Sequence, residues 1–417
     1  MVTVVDITVF LISLFVVFKI LKRILKGSLN IYTILALLFW GFQFPSLVID
    51  HVVDDCFSSF DFAKNMYPAL TDPIVAVIYD GIILSVLLYL NKLGRIQQRT
   101  RLDDLIDFMK NLQFGFFINV ILVLTMLLPI AGIILAPDPS IYAQWAYTYR
   151  FSISTTMELY HEIVIGNLIL LSFFVWVVYT AQKRHSDFFS YLVILFLTWI
   201  SFKRTMLVFG GLVLIFFDFF KGSFKLKPRT TIVKTICVIF VCIGYFIYYS
   251  QNTGKLSDAP FYYSYTLYYS RHYCLKTAIY DQLEGMSMLE YRGQSLLFDL
   301  LFFIPRNYWP DKPNVFTSSF TNYCVGNSYD YPTLTYYYAN IWTEFVANFH
   351  LFGIIIALIF IKYAIKFSEK SGNIFAYMFG CLFVMFYFFW GIQPFTMIIL
   401  VLWYFFLLTG FLRKLTR

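Results

Sequence analysis

The chain has 417 residues, of which 59% are hydrophobic and 13% are charged. Since soluble chains carry about 25% charged residues, this composition excludes an ordinary soluble domain and indicates a polytopic protein of the lipid bilayer. A net charge of +8 would suggest nucleic acid as the partner of a soluble protein, but here the excess cations lie in short segments beside apolar stretches. We therefore expect no nucleic-acid partner, and we use the basic residues to assign orientation.

The apolar segments predict an all-α fold. A bilayer needs about 20 apolar residues per crossing helix, and about eleven segments reach or approach that length. The sixth and seventh are the shortest. The predicted spans are approximately residues 3–19, 31–49, 73–90, 112–135, 163–181, 188–202, 205–220, 231–250, 341–361, 373–390 and 394–411.

Lysine and arginine collect after every second predicted span, whereas the alternate loops are acidic or mixed. Because cytoplasmic loops are enriched in these cations, we expect the N-terminus outside the membrane and the C-terminus in the cytoplasm. The cations that follow the first, third, fifth, seventh, ninth and last spans include Lys22, Arg23, Lys92, Arg95, Lys183, Arg184, Lys225, Lys227, Lys362, Lys366, Arg413 and Lys414.

One long polar interruption, residues 251–340, divides the predicted spans. The sequence therefore predicts an N-terminal transmembrane bundle over 1–250, with about eight spans. It also predicts one large extracytoplasmic loop subdomain over 251–340, with short or interfacial helices, and C-terminal transmembrane helices over 341–417. The cytoplasmic loops are too short for a nucleotide-binding fold, and neither GxxxxGK[ST] nor GxGxxG occurs, so we expect no cofactor.

Six cysteines are scattered along the chain without CxxC pairs or histidines at metal spacing, so we expect no metal site. Cys274 and Cys324 both fall in the large loop and could pair, although buried free thiols are the commoner use of cysteine.

Cations at the outer face are the first candidates for binding an anion. Lys203 and Arg204 occupy a tight turn that the predicted topology places outside, where cations are disfavoured unless compensated. They either extend to lipid headgroups or form a phosphate site, for which arginine supplies a planar fork and lysine a point charge. Further cations lie in the loop: Lys255, Arg271, Lys276, Arg292, Arg306 and Lys312.

An ordinary solvated loop, in which acidic neighbours pair these cations, would account for Lys255, Lys276 and Lys312. It accounts less well for Arg306, which follows the apolar run LLFDLLFFIP and lies between prolines that stiffen the chain. That run is too short to span and carries Asp299, so we expect an interfacial or re-entrant helix that lies under a lipid substrate or packs the loop onto the bundle.

Aromatic residues are dense in the loop, among them Tyr308 and Trp309. An aromatic belt at the water interface explains many of them. Stacking on the apolar face of a sugar is the alternative, and both uses are compatible.

Three groups could act as an outward-facing base: His272, Glu344 and His350. Glu344 lies in the outer turn of the ninth span, where a carboxylate is costly unless it pairs with a cation or takes part in chemistry. A structural salt bridge to Arg204 or Arg306 is the alternative for Glu344. His272 could equally be a loop histidine whose hydrogen bonds are satisfied.

Three segments resemble the Wzy-type polymerases, the family that joins oligosaccharide repeat units of bacterial surface polysaccharides. They are the KRT turn at 203–205, the GQSLL…IPRNYWPDKP segment at 293–313 and TEFVANFHLFG at 343–353. The hydropathy profile with one large outer loop is also similar to that family. The chain departs from the family pattern at His350, where a glycine is expected.

The resemblance implies that the substrates, donor and acceptor, are polyprenyl-pyrophosphate-linked glycans joined at the outer face of the bacterial cytoplasmic (inner) membrane. It also implies a chain-length-regulating co-polymerase as a partner. We hypothesise a metal-independent, inverting glycosyl transfer. In this hypothesis the catalytic residues are Arg204, which neutralises the departing pyrophosphate, and Glu344 or His272, which accepts the proton. The expected pyrophosphate- and sugar-binding residues are Lys203, Arg271, Arg292, Arg306, Lys312, Tyr308 and Trp309.

Two other functions remain open from the sequence. An O-antigen ligase would share the multi-span body and outer loop but pass finished glycan to the lipid A core. A flippase for lipid-linked sugars, or another secondary transporter, is disfavoured because the sequence shows no repeat symmetry and few charged residues within spans beyond Asp80.

Overall fold

All regular secondary structure in the described part of the chain is helical. The computed structural model describes residues 2–26, 30–52, 65–96, 114–143, 154–182, 188–201, 271–327, 339–391 and 394–415, with isolated positions between 206 and 270. The predicted all-α fold is thus confirmed for these residues. The helices are α1 (Val2–Leu25), α2 (Ile31–Gln43), α3 (Ser46–Val52), α4 (Tyr67–Thr71), α5 (Pro73–Ile96), α6 (Phe116–Met126), α7 (Leu128–Ile134), α8 (Thr155–Tyr160), α9 (Gly166–Gln182), α10 (Phe188–Ser201), α11 (His272–Leu283), α12 (Gln294–Leu301), α13 (Phe316–Val325), α14 (Ile341–Phe349), α15 (Gly353–Lys370), α16 (Ile374–Trp390) and α17 (Pro394–Leu415).

Six helical stretches within the described ranges are long and apolar enough to cross a bilayer. This finding confirms a multi-pass helical membrane protein. Three further apolar helices are shorter: Phe189–Ser201, Ile374–Phe389 and Thr396–Phe411. The six candidate spans are Val2–Ile24, Ile31–Val52, Pro73–Ile96, Phe116–Ile134, Thr156–Thr180 and Ile341–Lys370.

Several helices extend beyond the apolar segments that predicted them. The first helix continues to Leu25, and the helical segment of the ninth predicted span continues to Lys370. Because an α-helix forms its backbone hydrogen bonds internally, it does not need to end where the apolar residues give way to basic ones. Breaks occur at Pro45, between α2 and α3, and at Leu127 before Pro129. Proline removes an amide donor and clashes with the preceding turn, which accounts for both.

The chain divides into two compact units by its internal contacts: residues 1–102 with 260–417, and residues 103–259. The second unit packs α6 to α10 around Trp176, whose indole nitrogen donates to the carbonyl of Ser190 at 2.8 Å. These units are defined by contacts within the chain, whereas the predicted boundaries at 250 and 340 separate membrane-spanning segments from a loop. Those boundaries therefore stay predictions.

Within the first unit, basic helix ends gather together. Arg23 at the end of α1 donates to Asn91 near the end of α5. At the start of α2, Asn30 donates to the carbonyl of Gly94 at 2.8 Å, and the Tyr32 hydroxyl to the carbonyl of Lys362 at 3.4 Å. Helices α1, α5 and α15 therefore bring their basic ends to the start of α2.

An aromatic cluster joins α2, α14 and α16. The ring centroids of Phe39 and Trp342 are 5.6 Å apart, those of Phe39 and Phe388 are 5.6 Å apart, and those of Trp342 and Phe388 are 4.9 Å apart. Tilted and edge-to-face rings of this kind add packing energy beyond their buried area. The cluster fixes α14, which carries Glu344, against the other two helices.

The predicted ninth span is interrupted where α14 meets α15. His350 has φ 56° and ψ −159°, a backbone conformation that L side chains rarely adopt. Just beyond it, Gly353 lies against the backbone of α14, since an added Cβ would be 2.0 Å from the carbonyl oxygen of Phe345. A three-residue connection, His350–Phe352, therefore joins the two helices in direct contact.

Candidate functional site

The described part of the predicted outer loop is packed into the first unit. Helix α11 lies against α4, α5 and α14, and its residues from His272 to Ile279 are all buried. Helix α12 contacts α14 and turns Gln294, Ser295 and Asp299 inward, while Leu300 and Phe303 are 63% and 67% exposed. Residues 294–305, which include the LLFDLLFFIP run, therefore have a polar inner face and an apolar outer face.

Glu344 is fully buried, and one of its partners is another carboxyl group, that of Asp299. The hydroxyl of Tyr387, on α16, is 3.0 Å from Glu344 Oε2 and 3.3 Å from Asp299 Oδ2. Ser295 lies beside the Glu344 carboxyl and accepts a hydrogen bond from the side chain of Asn348 at 2.8 Å. The site thus combines residues from α12, α14 and α16.

The salt bridge considered for Glu344 is not formed within the described residues. The guanidinium of Arg306 donates to the carbonyl of Lys312 at 2.7 Å, to the carbonyl of Pro313 at 3.4 Å and to Asn314 Oδ1 at 2.7 Å. Arg204, the other proposed partner, lies outside the described residues.

Burial and a like charge act together on Asp299. Burial raises the pKa of Asp299 well above its ordinary value, and the neighbouring Glu344 raises it further. The hydrogen bond from Tyr387 opposes these effects without outweighing them. Asp299 therefore binds a proton much more readily than an exposed aspartate.

A second polar network connects α11 to α3 and α5. Lys276 Nζ is 3.1 Å from Asp50 Oδ2, and His272 Nε2 is 3.4 Å from the same oxygen. The lysine ammonium also lies 5.3 Å from the ring centroid of Tyr79. On α1, Asp6 pairs with His51 of α3 and lies beside the buried Asp80 of α5.

The environment of His272 is that of a neutral imidazole. Its Nδ1 is 2.7 Å from the hydroxyl of Ser270, and burial lowers its pKa to about 4, with Lys276 adding to the effect and Asp50 opposing it. A buried imidazole with this pKa is a weak base at neutral pH. Its predicted role as a catalytic base stays a prediction.

Arg271 begins α11 with a strained backbone, at φ 52° and ψ 22°. Its side chain is buried and donates to the carbonyl of Phe389 at 3.2 Å. Arg271 and Glu344 therefore both contact the last turns of α16, the first at Phe389 and the second at Tyr387. Strained residues concentrate at functional sites, although strain alone does not assign a function.

The remaining predicted binding residues lie at the surface of the loop or in its turns. Arg292 is exposed, with a nitrogen 3.5 Å from Nδ1 of His350. Tyr308 is 85% exposed and Trp309 is partly buried. These three side chains are accessible to a ligand in solution, and their assignment stays a prediction.

The side chain of Lys312 is buried and contacts backbone carbonyl groups of the same loop. Its ammonium donates to the carbonyls of Phe302 and Ile304, at 2.5 and 2.8 Å, just after the end of α12. Burial lowers the pKa of Lys312, and Arg306 lowers it further. The solvated-loop interpretation is therefore wrong for Lys312, and also for Lys276, whose ion-pair partner Asp50 lies outside the loop.

Lys203, Arg204 and Lys255 lie outside the described residues, so their predicted roles stay predictions. Cys274 and Cys324 are both buried, and neither forms a disulfide. Burial raises the pKa of Cys274 to about 12 and raises that of Cys324 well above its ordinary value, which keeps both protonated and unreactive.

Sequence reasoning missed Asp299, Tyr387 and Asp50 as members of these networks. A signal was present for Asp299, which interrupts an apolar run as Glu344 does. Two carboxyl groups in apolar surroundings are each costly, so their pairing could have been considered. Tyr387 is one of many aromatic residues and carries no distinguishing pattern.

Comparison of the chain with known protein families, with curated proteins and with solved structures found no match.

Proposed function

We propose that this protein is a membrane glycosyltransferase that joins polyprenyl-pyrophosphate-linked oligosaccharide repeat units into a surface polysaccharide. The observation that carries the proposal is that Glu344 and Arg271, both singled out from the sequence, contact the same end of α16. A carboxyl group and a guanidinium in one region are the groups that proton acceptance and pyrophosphate stabilisation require.

The proposed reaction needs a lipid-facing surface beside the polar site. Helix α12 and the turn after it supply such a surface, since α12 turns Ser295 and Asp299 toward Glu344 while Leu300 and, in the turn, Phe303 are exposed. An amphipathic helix of this kind suits the boundary between headgroups and acyl chains. Because Glu344 is fully buried, a sugar hydroxyl reaches this carboxyl only after the surrounding helices have moved.

The orientation proposed for the chain is N-terminus outside, C-terminus cytoplasmic and about eleven spans, in the bacterial cytoplasmic membrane. The gathering of basic ends of α1, α5 and α15 supports this orientation for the first unit. The α11 to α14 region then faces the periplasm or the cell exterior, where lipid-linked repeat units are presented.

A ligase and a flippase are distinguished from the polymerase by the glycans that accumulate in cells lacking the protein. The polymerase proposal predicts single repeat units on the carrier lipid at the outer face of the membrane. Long polymer on the carrier would indicate a ligase, and single units confined to the inner face would indicate a flippase.

The role of Glu344 is tested by replacing it with glutamine, which keeps the size and a hydrogen-bonding amide. Cells that carry Glu344→Gln should accumulate single repeat units as the deletion does. Glu290→Gln is the matched control, because Glu290 is an exposed carboxylate in the same loop, and polymer should form as in wild type. Normal polymer with Glu344→Gln would exclude Glu344 as the proton acceptor.

A further inference from the structure

The contacts of Tyr387 restrict the protonation of the two carboxyl groups. A tyrosine hydroxyl has one proton to donate, yet it lies within hydrogen-bonding distance of both Glu344 Oε2 and Asp299 Oδ2. A protonated carboxyl that donates to the tyrosine oxygen would give each of the two contacts a proton of its own. The Asp299 and Glu344 carboxyls also lie within hydrogen-bonding reach of each other, and a hydrogen bond between two carboxyls needs a proton on one of them. The geometry therefore favours a carboxylic acid and a carboxylate beside the hydroxyl.

The burial of the Glu344 and Asp299 carboxyls also favours one shared proton. Glu344 has no exposed surface, Oδ1 of Asp299 is inaccessible to solvent, and no described cation forms an ion pair with either carboxyl. Two adjacent carboxylates without a cation would repel each other strongly in such surroundings. A single shared proton removes this repulsion and leaves one negative charge.

The other groups that face the pair are identified by the packing around it. Helix α17 contributes Tyr404, which interacts electrostatically with Asp299, and α16 contributes Tyr387, whose hydroxyl contacts both carboxyls. Arg292 and His350 contact each other at the end of α14. Arg292 is exposed, and its nearest described partner is His350 rather than either carboxyl.

We propose that Glu344 and Asp299 act as one unit that holds a single shared proton through Tyr387, and that this pair takes up the proton released by the acceptor sugar. Asp299 and Tyr387 are then positioning residues for Glu344. The use of the pair in the reaction rests on the proposed function, whereas the sharing of the proton does not.

In the proposed step, the acceptor oxygen forms a bond to the anomeric carbon of the donor as the bond from that carbon to the pyrophosphate oxygen breaks. The electron pair of the broken bond leaves with the pyrophosphate. The proton of the acceptor hydroxyl passes to the carboxylate of the pair, so that both carboxyl groups are transiently protonated. The proton is then released to water and the singly protonated pair is restored.

Infrared difference spectra of the full-length protein at about pH 7 test the shared proton, because protonated carboxyl groups have a distinct C=O absorption and titrate as a coupled pair. The proteins compared are wild type, Asp299→Asn, Glu344→Gln and the double variant. With one shared proton, the wild-type band has the area of one carboxylic acid, neither single variant has a larger band, and the double variant has none. If each carboxyl were protonated independently, wild type would have two acids and each single variant would lose half of the wild-type band area.

Loss of no band in any variant would also overturn the proposal, since the pair would then hold no proton. The wild-type spectrum gives a second reading if a variant fails to fold: the shared proton predicts a carboxyl band that persists at about pH 7 and disappears as the pair is titrated with base. Absence of that band would overturn the proposal without any variant.

The pH dependence of polymerisation tests the use of the pair in the reaction. Asp299→Asn removes the carboxylic acid whose hydrogen bonding stabilises the carboxylate of the pair, so the acid side of the rate profile should move to higher pH by about one unit or more. An unmoved profile would contradict this role. If wild type forms no polymer, the proposed function is wrong, and the infrared spectra still test the shared proton. If polymer forms but each single variant loses half of the wild-type band area, only the shared-proton proposal is wrong.

Discussion

Asp281 makes the stability of the region from α11 to α14 sensitive to pH. The residue is fully buried in α11, where Gln282 donates to Oδ2 at 2.9 Å, and burial raises its pKa from 3.8 to about 6. The folded protein therefore favours the protonated carboxyl more than the unfolded chain does. This contribution to stability is full below about pH 3.8 and is lost as the pH rises through about 6.

The size of the effect follows from the two pKa values. At about 1.4 kcal/mol per pH unit, the difference corresponds to about 3 kcal/mol at pH values above both. Asp281→Asn removes the titration and keeps a similar shape. The free energy of unfolding of wild type, measured in mixed micelles, should therefore fall relative to that of the variant by up to about 3 kcal/mol between about pH 4 and pH 8.

The matched control is Glu290→Gln, which removes an exposed carboxylate from the same loop and should leave the pH dependence as in wild type. Parallel curves for wild type and Asp281→Asn over the whole pH range would refute the reasoning. They would mean that Asp281 ionises in the folded protein as easily as in the unfolded chain.

Three further substitutions test the connections around the site. Gly353→Ala places a Cβ 2.0 Å from the Phe345 carbonyl oxygen and should lower the free energy of unfolding by about 3 kcal/mol or more. Gly41→Ala is the control, because Gly41 has open space around it in α2, and it should be neutral or slightly stabilising. Equal effects of the two substitutions would contradict the close contact at Gly353. His350→Gly relieves the strain at φ 56° and should raise the unfolding free energy by about 1 kcal/mol, so a loss of stability would contradict strain at this position. Lys312→Met leaves the carbonyls of Phe302 and Ile304 without their donor, so the free energy of local opening of α12 should fall by about 1–3 kcal/mol and its amide hydrogen exchange should be faster. Unchanged exchange would show that the lysine does not cap the helix.

The helical class and the positions of most helices could be predicted because apolar length is a local property of the sequence. Helix ends were less predictable from apolar length, since the helix from Gly353 continues through charged residues to Lys370. Its end is marked instead by Gly372, which has φ 79° just beyond it. The break at His350 was also hidden, because a glycine would have marked it and a histidine occupies it. A glycine would adopt this backbone conformation without strain.

The candidate site could be predicted only in part, because its contacts join distant segments. Lys276 pairs with Asp50, 226 residues away, and the hydroxyl of Tyr387 is 88 residues from Asp299. Charge and location in the sequence identified Glu344 and Arg271 as candidates. They could not reveal that the partner of Glu344 is a carboxyl group, since that depends on how α12 folds back onto α14.

Polymerisation by the purified protein in nanodiscs tests the central proposal most directly. The substrate is the polyprenyl-pyrophosphate-linked repeat unit isolated from cells of the same source that lack this protein, and chain length is followed on gels. The proposal predicts a ladder of increasing length with release of polyprenyl pyrophosphate, and its loss in Glu344→Gln but not in Glu290→Gln. Folded wild-type protein that leaves the repeat unit unchanged would contradict the proposal.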